Sequence, residues 1–269
     1  MAVLSPLAEV AKTLQSQKSL GQHFLVHEDI CRRIAISAGT LSGKIVIEIG
    51  PGPGGLTRSL LELGACVYAI EKDARCAAAL APLEEAYGER FSLHIQDALK
   101  VDFSIFSFPL VISNLPYNIS TQLLFMWIPF LERFDKLVLM FQKEVAERLY
   151  AQPGTKAYGR LSVLLQAKAK VTKMFHLPPG VFLPPPKVHS TVVSIVPKRE
   201  SYPSPVVYAA LEMLTRSAFS TRRKMVKNTL FLPEQLFVQN GISPQARAED
   251  LTVEQFLHLA ESYLEKRLD

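Results

Sequence analysis

The sequence predicts an α/β fold in which a largely parallel sheet is followed by a small helical domain. From Lys44 to about Phe141, short branched apolar runs alternate with longer segments of helical period, the pattern of repeated strand-helix units. The first of these runs ends in Glu48-Ile49-Gly50-Pro51-Gly52-Pro53-Gly54-Gly55 and a helical segment follows, so the glycines sit where a tight strand-to-helix turn is needed. After Pro197 the composition shifts; Pro203 and Pro205 mark a linker, and everything beyond reads as helices with loops. A boundary near residue 200 therefore divides the chain into one domain over 1–200 and another over 201–269.

In order, Lys44 to Ile49 is the first clear strand and Gly54 to Leu63 the helix after it. Cys66 to Ile70 is a second strand, Asp73 to Tyr87 an alanine-rich helix with Asp73 as its cap, and Phe91 to Gln96 a third strand. Leu110 to Ser113 gives a fourth, Ser120 to Phe134 a strongly apolar helix, and Lys136 to Phe141 a fifth strand leading into a helix over Lys143 to Tyr150. Gly159 to Lys168 reads as helix. Val171 to His176 and Val188 to Val196 read as strands flanking the proline-rich stretch Pro178 to Pro186, which cannot lie in a sheet interior.

Composition bounds the function. A chain of 269 residues, 48% hydrophobic and 20% charged, buries one large core and leaves material for a small appendage. The formal charge of +5 permits a polyanionic partner without requiring one. Cys31, Cys66 and Cys76 are odd in number and lack C-x-x-C spacing, which argues against a disulfide framework or structural zinc and for buried thiols in a reducing compartment. His23 and His27 share a helical spacing but have no third ligand placed to complete a site, so no metal is expected. There is no basic, then apolar, leader and no apolar stretch long enough to span a bilayer; the expectation is a soluble, cytoplasmic protein.

The loop after the first strand has the form of a nucleotide-binding turn, in which Gly50 and Gly52 let a ligand approach the backbone. Glu71 closes the second strand about 20 residues further on, the spacing at which an acid meets ribose hydroxyls. Asp97, after the third strand, is placed to meet an adenine amino group. Together they imply an adenosine-containing cofactor, either NAD or S-adenosylmethionine. The fourth strand runs into Asn114-Leu115-Pro116-Tyr117, which suits an aromatic amine better than a hydride acceptor. The lone pair of adenine N6 is delocalised into its ring, and acceptors for the amino hydrogens favour the pyramidal nitrogen that attacks a methyl group. Asn114 Oδ1 and the Leu115 carbonyl are candidates for those acceptors, and Tyr117 offers a flat face for an extruded base. Without the upstream loop, a strand-ending turn with a packing aromatic would carry substantial weight as an account of these four residues.

These motifs, in this order, resemble the ribosomal RNA adenine dimethylases of the KsgA type over nearly the whole chain. The resemblance adds Gly21-Gln22-His23-Phe24-Leu25, Gln96-Asp97-Ala98, Gln142-Lys143-Glu144-Val145, Tyr158 to Ser162 and Phe182 to Ser190. It implies a Rossmann-like class I S-adenosylmethionine methyltransferase sheet of seven strands with a helical C-terminal domain. The cofactor would be held by Gln22, His23, Leu25, Gly50, Gly52, Glu71, Asp97 and Asn114, with Phe182 stacking on the target base opposite Tyr117. His23 stands where many relatives have asparagine, and Pro53 where an aliphatic residue is common. Read by itself, Phe182 amid prolines is equally a hydrophobic anchor pinning a loop. The implied reaction is dimethylation of N6 on two adjacent adenosines near the 3′ end of small-subunit rRNA, within an immature small ribosomal subunit, by a monomer.

Thr215 to Thr229 contains Arg216, Arg222, Arg223, Lys224 and Lys227 and no acid, a candidate phosphate-contact surface, although a short basic run is more often a solvated helix face. Phe219 to Lys224 resembles a family motif, which favours RNA contact by Arg222, Arg223 and Lys224; Lys143, Arg148, Lys156, Arg160 and Lys187 would extend the rim. The rival readings are an adenine methyltransferase of large-subunit rRNA conferring antibiotic resistance, against which the C-terminal match speaks, and a DNA adenine methylase, which more typically has a second proline at the Leu115 position. A different class is a ribosome assembly or nucleic-acid-binding factor with little catalysis. A NAD-dependent dehydrogenase is disfavoured because nothing near Asn114 resembles a hydride-transfer acid or base.

Overall fold

In a computed structural model, residues 5–14, 16–17 and 21–266 are described. The chain begins with α1 (Leu7–Leu14), the two-residue strand β1 (Phe24–Leu25) and α2 (Glu28–Ser37). The expected alternation follows: β2 (Ile45–Ile49), α3 (Gly55–Glu62), β3 (Cys66–Glu71), α4 (Cys76–Tyr87), β4 (Phe91–Ile95), β5 (Leu110–Asn114), α5 (Tyr117–Trp127), β6 (Lys136–Gln142) and α6 (Lys143–Tyr150). Then come α7 (Arg160–Lys168), β7 (Ala169–Leu177), β8 (Phe182–Leu183) and β9 (Ser190–Pro197).

Seven of these strands form one sheet in the order β4-β3-β2-β5-β6-β9-β7. β2 pairs parallel with β3 (Ile47↔Tyr68) and with β5 (Ile47↔Val111), and β6 extends the parallel set (Ile112↔Val138) before β9 joins it antiparallel (Leu139↔Val193). Val46, Ile47 and Ile49 of β2 and Leu137 to Phe141 of β6 are all buried. Continuous apolar runs of this kind are what a sheet covered on both faces requires. Strand order reverses between β2 and β5, which opens a crevice at the carboxyl ends of the strands where the intervening helices leave in opposite directions.

Two local expectations are corrected. Asp73 does not cap the helix after β3: α4 starts at Cys76, and the Asp73 carboxylate is taken by the Arg75 backbone and guanidinium and by Gln22. The apolar run Ser120 to Phe134 is not one helix either. α5 starts earlier, at Tyr117, and ends at Trp127; a 3-10 segment then spans Ile128–Arg133, with Phe130 out of helical geometry beside Pro129, whose ring removes a backbone donor.

The proline-rich stretch contains β8, which pairs antiparallel with β1 (Leu25↔Phe182) and so fastens the early segment to a segment some 160 residues later. Beyond β9, the linker prolines resolve into a helix start: Ser204 accepts from Val207 N–H and Pro205 opens α8 (Pro205–Ala218), the position where a missing N–H costs nothing. α9 (Lys227–Leu230), α10 (Glu234–Gln239) and α11 (Val253–Glu265) complete the chain, the last behind a Thr252/Gln255 capping box.

The chain forms two compact units, but not by a single cut near 200. One consists of 1–146 and 172–197; the other combines 147–171 with 198–269. Within the second, α8 packs on α7 and α11, and Tyr158, Phe219 and Phe256 form an aromatic row. Buried Lys168 places its ammonium over the rings of Tyr202 and Tyr208.

Candidate functional site

Five segments converge on one pocket in the first unit: residues 21–25, the turn from Glu48 to Leu56, Ile70 to Lys72, Gln96 to Ala98, and Asn114 to Ile119. All but the first lie at or just beyond the carboxyl ends of β2, β3, β4 and β5, the place the strand order assigns to a ligand. The turn after β2 is tight because Gly50 (φ 68°) and Gly52 (φ 55°) adopt the left-handed region. A Cβ on Gly52 would stand 2.9 Å from the Phe24 ring, so β1 presses directly on the loop.

Glu71 holds that loop. One carboxylate oxygen accepts from Gly52 N–H at 3.2 Å and the other from Asp73 N–H at 2.8 Å. Burial pushes its pKa up, while the Asp73, Gly52 and Lys72 backbone N–H groups pull it down. Gln22 donates to Asp73 at 3.0 Å, tying the early segment to the far side of the pocket. Asp73 itself is held down at about 2, chiefly by the Arg75 guanidinium. Asp97 lines the pocket with its oxygens on Leu99 N–H (3.0 Å) and Lys72 Nζ (2.8 Å), and the Lys72 bond keeps its carboxyl below the usual range.

At the end of β5, Asn114 donates Nδ2–H to the His23 carbonyl at 3.0 Å. Only the nitrogen of the amide can donate to a carbonyl, so Oδ1 is left as the acceptor. His23 is fixed in turn, its Nδ1 lying 2.8 Å from the Pro184 carbonyl; a carbonyl cannot donate, so Nδ1 carries the proton. Tyr117 is half-buried with its hydroxyl bonded to Ser190 Oγ and its ring 5.5 Å from the His23 ring. Leu115 is buried on the pocket wall.

Of the sequence-predicted residues, Gln22, His23, Leu25, Gly50, Gly52, Glu71, Asp97, Asn114, Leu115 and Tyr117 are brought together on this pocket. Phe182 is not. It is 3% exposed, paired with Leu25 across the small β1-β8 ribbon and packed in the hydrophobic core, so its place is that of the loop anchor rather than of a ring facing Tyr117. Lys187 is exposed in the first unit. In the second, Arg160 is half-buried at the start of α7, whereas Arg222, Arg223 and Lys224 lie exposed on a loop rather than on a helix face. Arg222 is committed to Glu249 (2.9 Å) and to the Lys156 carbonyl.

Sequence reasoning counted Glu48 in the strand-to-turn motif but gave it no role in the site. It is 2% exposed on the pocket wall and accepts from Thr57 Oγ1 at 2.7 Å. Burial pushes its pKa up to about 8. The available signal was an acid set in the otherwise apolar run Ile45 to Ile49, since such an acid is buried unless the strand is at an edge. Among the described residues, no group of three His, Cys, Asp or Glu side chains is arranged to hold a metal ion. The cysteines are free: Cys31 and Cys76 are buried, and burial pushes the Cys31 thiol up to about 12, while Cys66 is only half-buried.

Comparison with known proteins agrees with this geometry. Residues 13–265 match the family model described as ribosomal RNA adenine dimethylase. The chain is 46% identical to the ribosomal RNA small subunit methyltransferase A of Azorhizobium caulinodans, over 97% of this chain and 93% of that protein. To the protein of the same name in Gluconobacter oxydans it is 47% identical, over 96% and 86%. Among solved structures, a dimethyladenosine transferase from Plasmodium falciparum superposes with a TM-score of 0.78 at 30% identity, over 91% of this chain and 98% of that one. The 23S rRNA methyltransferase ErmE shares the fold, with a TM-score of 0.71 at 23% identity, over 88% and 98%.

Proposed function

The chain belongs to the ribosomal RNA adenine dimethylase family, and from that premise we propose that it transfers methyl groups from S-adenosylmethionine to N6 of two adjacent adenosines near the 3′ end of small-subunit rRNA. The observation that carries the chemistry is the fixed Asn114 amide, whose Nδ2 is spent on the His23 carbonyl so that Oδ1 stands on the pocket wall as an acceptor.

The pocket fits the cofactor by the chemistry of its lining. Glu71 presents carboxylate lone pairs suited to vicinal ribose hydroxyls, Gly50 and Gly52 expose bare backbone on either side of Pro51 in the turn, and Gln22, His23 and Leu25 add to the lining. Asp97 is at the remaining edge, where an adenine amino group would find an acceptor. When bound, the cofactor supplies a methyl group activated on a sulfonium sulfur.

The chain's own residues do the rest. Asn114 Oδ1, with the Leu115 carbonyl, accepts the adenine amino hydrogens and draws the nitrogen lone pair out of conjugation with the ring. Tyr117, its hydroxyl held by Ser190, gives the extruded base a rigid stacking face. No strong base is needed, because the product nitrogen is acidic enough to lose its surplus proton to water. A once-methylated adenine has one N–H left, so Asn114 and Leu115 share a single hydrogen in the second transfer.

Arg223 and Lys224, exposed and without an ion pair among the described residues, contact rRNA phosphates beside Arg222, Lys187 makes a phosphate contact of its own from the first unit, and the partner is an immature small ribosomal subunit met by a monomer in the cytoplasm. No described helix is long and apolar enough to cross a membrane.

Labelled S-adenosylmethionine and unmodified small ribosomal subunits test the reaction, with nucleoside mass spectrometry of the rRNA as readout. Dimethyladenosine forms with the wild-type chain, and Asn114→Ala lowers the rate by at least about a hundredfold, the typical effect of removing one donor or acceptor aimed at developing charge. Tight subunit binding with no transfer would replace this reading by that of an assembly factor.

A further inference from the structure

We infer that Phe231 is a stacking platform for an unpaired nucleobase of the small-subunit rRNA, an RNA contact separate from the methyl-transfer pocket; it rests on the proposed rRNA substrate. Phe231 is 86% exposed, and it ends the one-turn helix α9 with φ 51° and ψ 36°, in the left-handed region. Neither fact suits a phenylalanine that serves only the fold. A Cβ is disfavoured in that conformation, and glycine is the residue that closes a helix this way without penalty. A buried aromatic could offset the strain by packing, but this ring is almost wholly in water and makes no ring contact among the described residues. The chain thus holds a large apolar surface outward at a cost in both backbone and solvation.

The neighbouring sequence says which partner covers it. Residues 215–229, immediately before α9 ends, contain five Lys and Arg and no acid. Within them Thr221 to Met225 are all exposed, and Arg223 and Lys224 form no ion pair among the described residues. Cations that track a phosphate backbone, followed within a few residues by an exposed aromatic ring, are the elements of single-strand recognition, where each base offers a face to stack whatever its identity. An apolar protein partner would find this ring set among like charges that it could not neutralise.

Phe231→Gly separates the two accounts, because it removes the ring and relieves the backbone together. Its melting temperature is expected to equal or exceed that of the wild type, while KM for unmodified small subunits rises about tenfold with kcat unchanged, within the range for loss of one stacked base. Phe231→Leu, which keeps apolar bulk without a ring, is expected to show a similar rise. A photoreactive p-benzoylphenylalanine at position 231 is expected to crosslink to rRNA; a crosslink to a ribosomal protein instead overturns the inference. So does an unchanged KM in Phe231→Gly when the wild type methylates normally. A wild type that transfers no methyl group to the subunits fails at the earlier step and overturns the substrate reading along with this one.

Discussion

Two residues on the pocket wall act through the protons they hold. Glu48 sits near the end of an apolar strand with one hydroxyl partner, and burial, with the negative charge of Glu71 adding to it, raises its folded pKa to about 8 from an ordinary carboxylate value. A raised acid keeps its proton when folded and loses it when unfolded, so stability is greatest below the unfolded pKa of about 4 and falls as pH rises through the folded value. Urea unfolding between pH 5 and pH 8 is expected to show a loss of up to about 1.4 kcal/mol per pH unit from this one group, and Glu48→Gln to flatten that slope while keeping an acceptor for Thr57. A variant with the same slope as the wild type would assign the dependence elsewhere. His23 works by a fixed tautomer: with Nδ1–H on the Pro184 carbonyl and its own carbonyl on Asn114, it links the proline-rich stretch to the amide that faces the substrate.

At the scale of elements, the β1-β8 ribbon closes the pocket. Phe24 abuts Gly52, Leu25 pairs with Phe182, and Phe182 is sunk in the core. Phe182→Ala is expected to cost about 3–5 kcal/mol of stability, the range for deleting a buried ring, read from denaturant midpoints. A loss below about 1 kcal/mol with intact folding would place the ring outside the core after all. The same ribbon marks the limit of what a sequence displays. β2 through β6 were legible because their apolar runs are continuous and their turns glycine- or proline-marked, and the convergence of Gly50, Glu71, Asp97 and Asn114 followed from their common position at strand ends. A two-residue strand paired with a segment some 160 residues away carries no periodicity, so the ribbon could not be read, and the burial of Phe182 stood only as one of two equal accounts. Asp73 was misread as a cap because its neighbour Arg75 and distant Gln22 compete for its carboxylate, a competition that only the folded chain reveals. The apolar stretch after Ser120 hid its break because Pro129 lies in a run that is otherwise uniformly hydrophobic.

For the whole molecule, a formal charge of +5 is modest, and its placement decides how much of it serves binding. Measured against salt, the affinity for small subunits is expected to fall on a straight logarithmic line, and Arg223→Ala and Lys224→Ala each to reduce its slope by about 1; a slope indifferent to both would remove that loop from the interface. The helical C-terminal part was legible as a shift in composition, but not its debt to α7, which precedes the last two strands of the sheet. That debt bears on biosynthesis. Because 147–171 belongs with 198–269 while 172–197 belongs with 1–146, neither unit is complete when its first half leaves the ribosome. The nascent chain must carry the exposed underside of α7 until α8 and α11 emerge, and the sheet must wait for β9 to pair with β6, so the second unit is begun before the first is finished and is completed only after it.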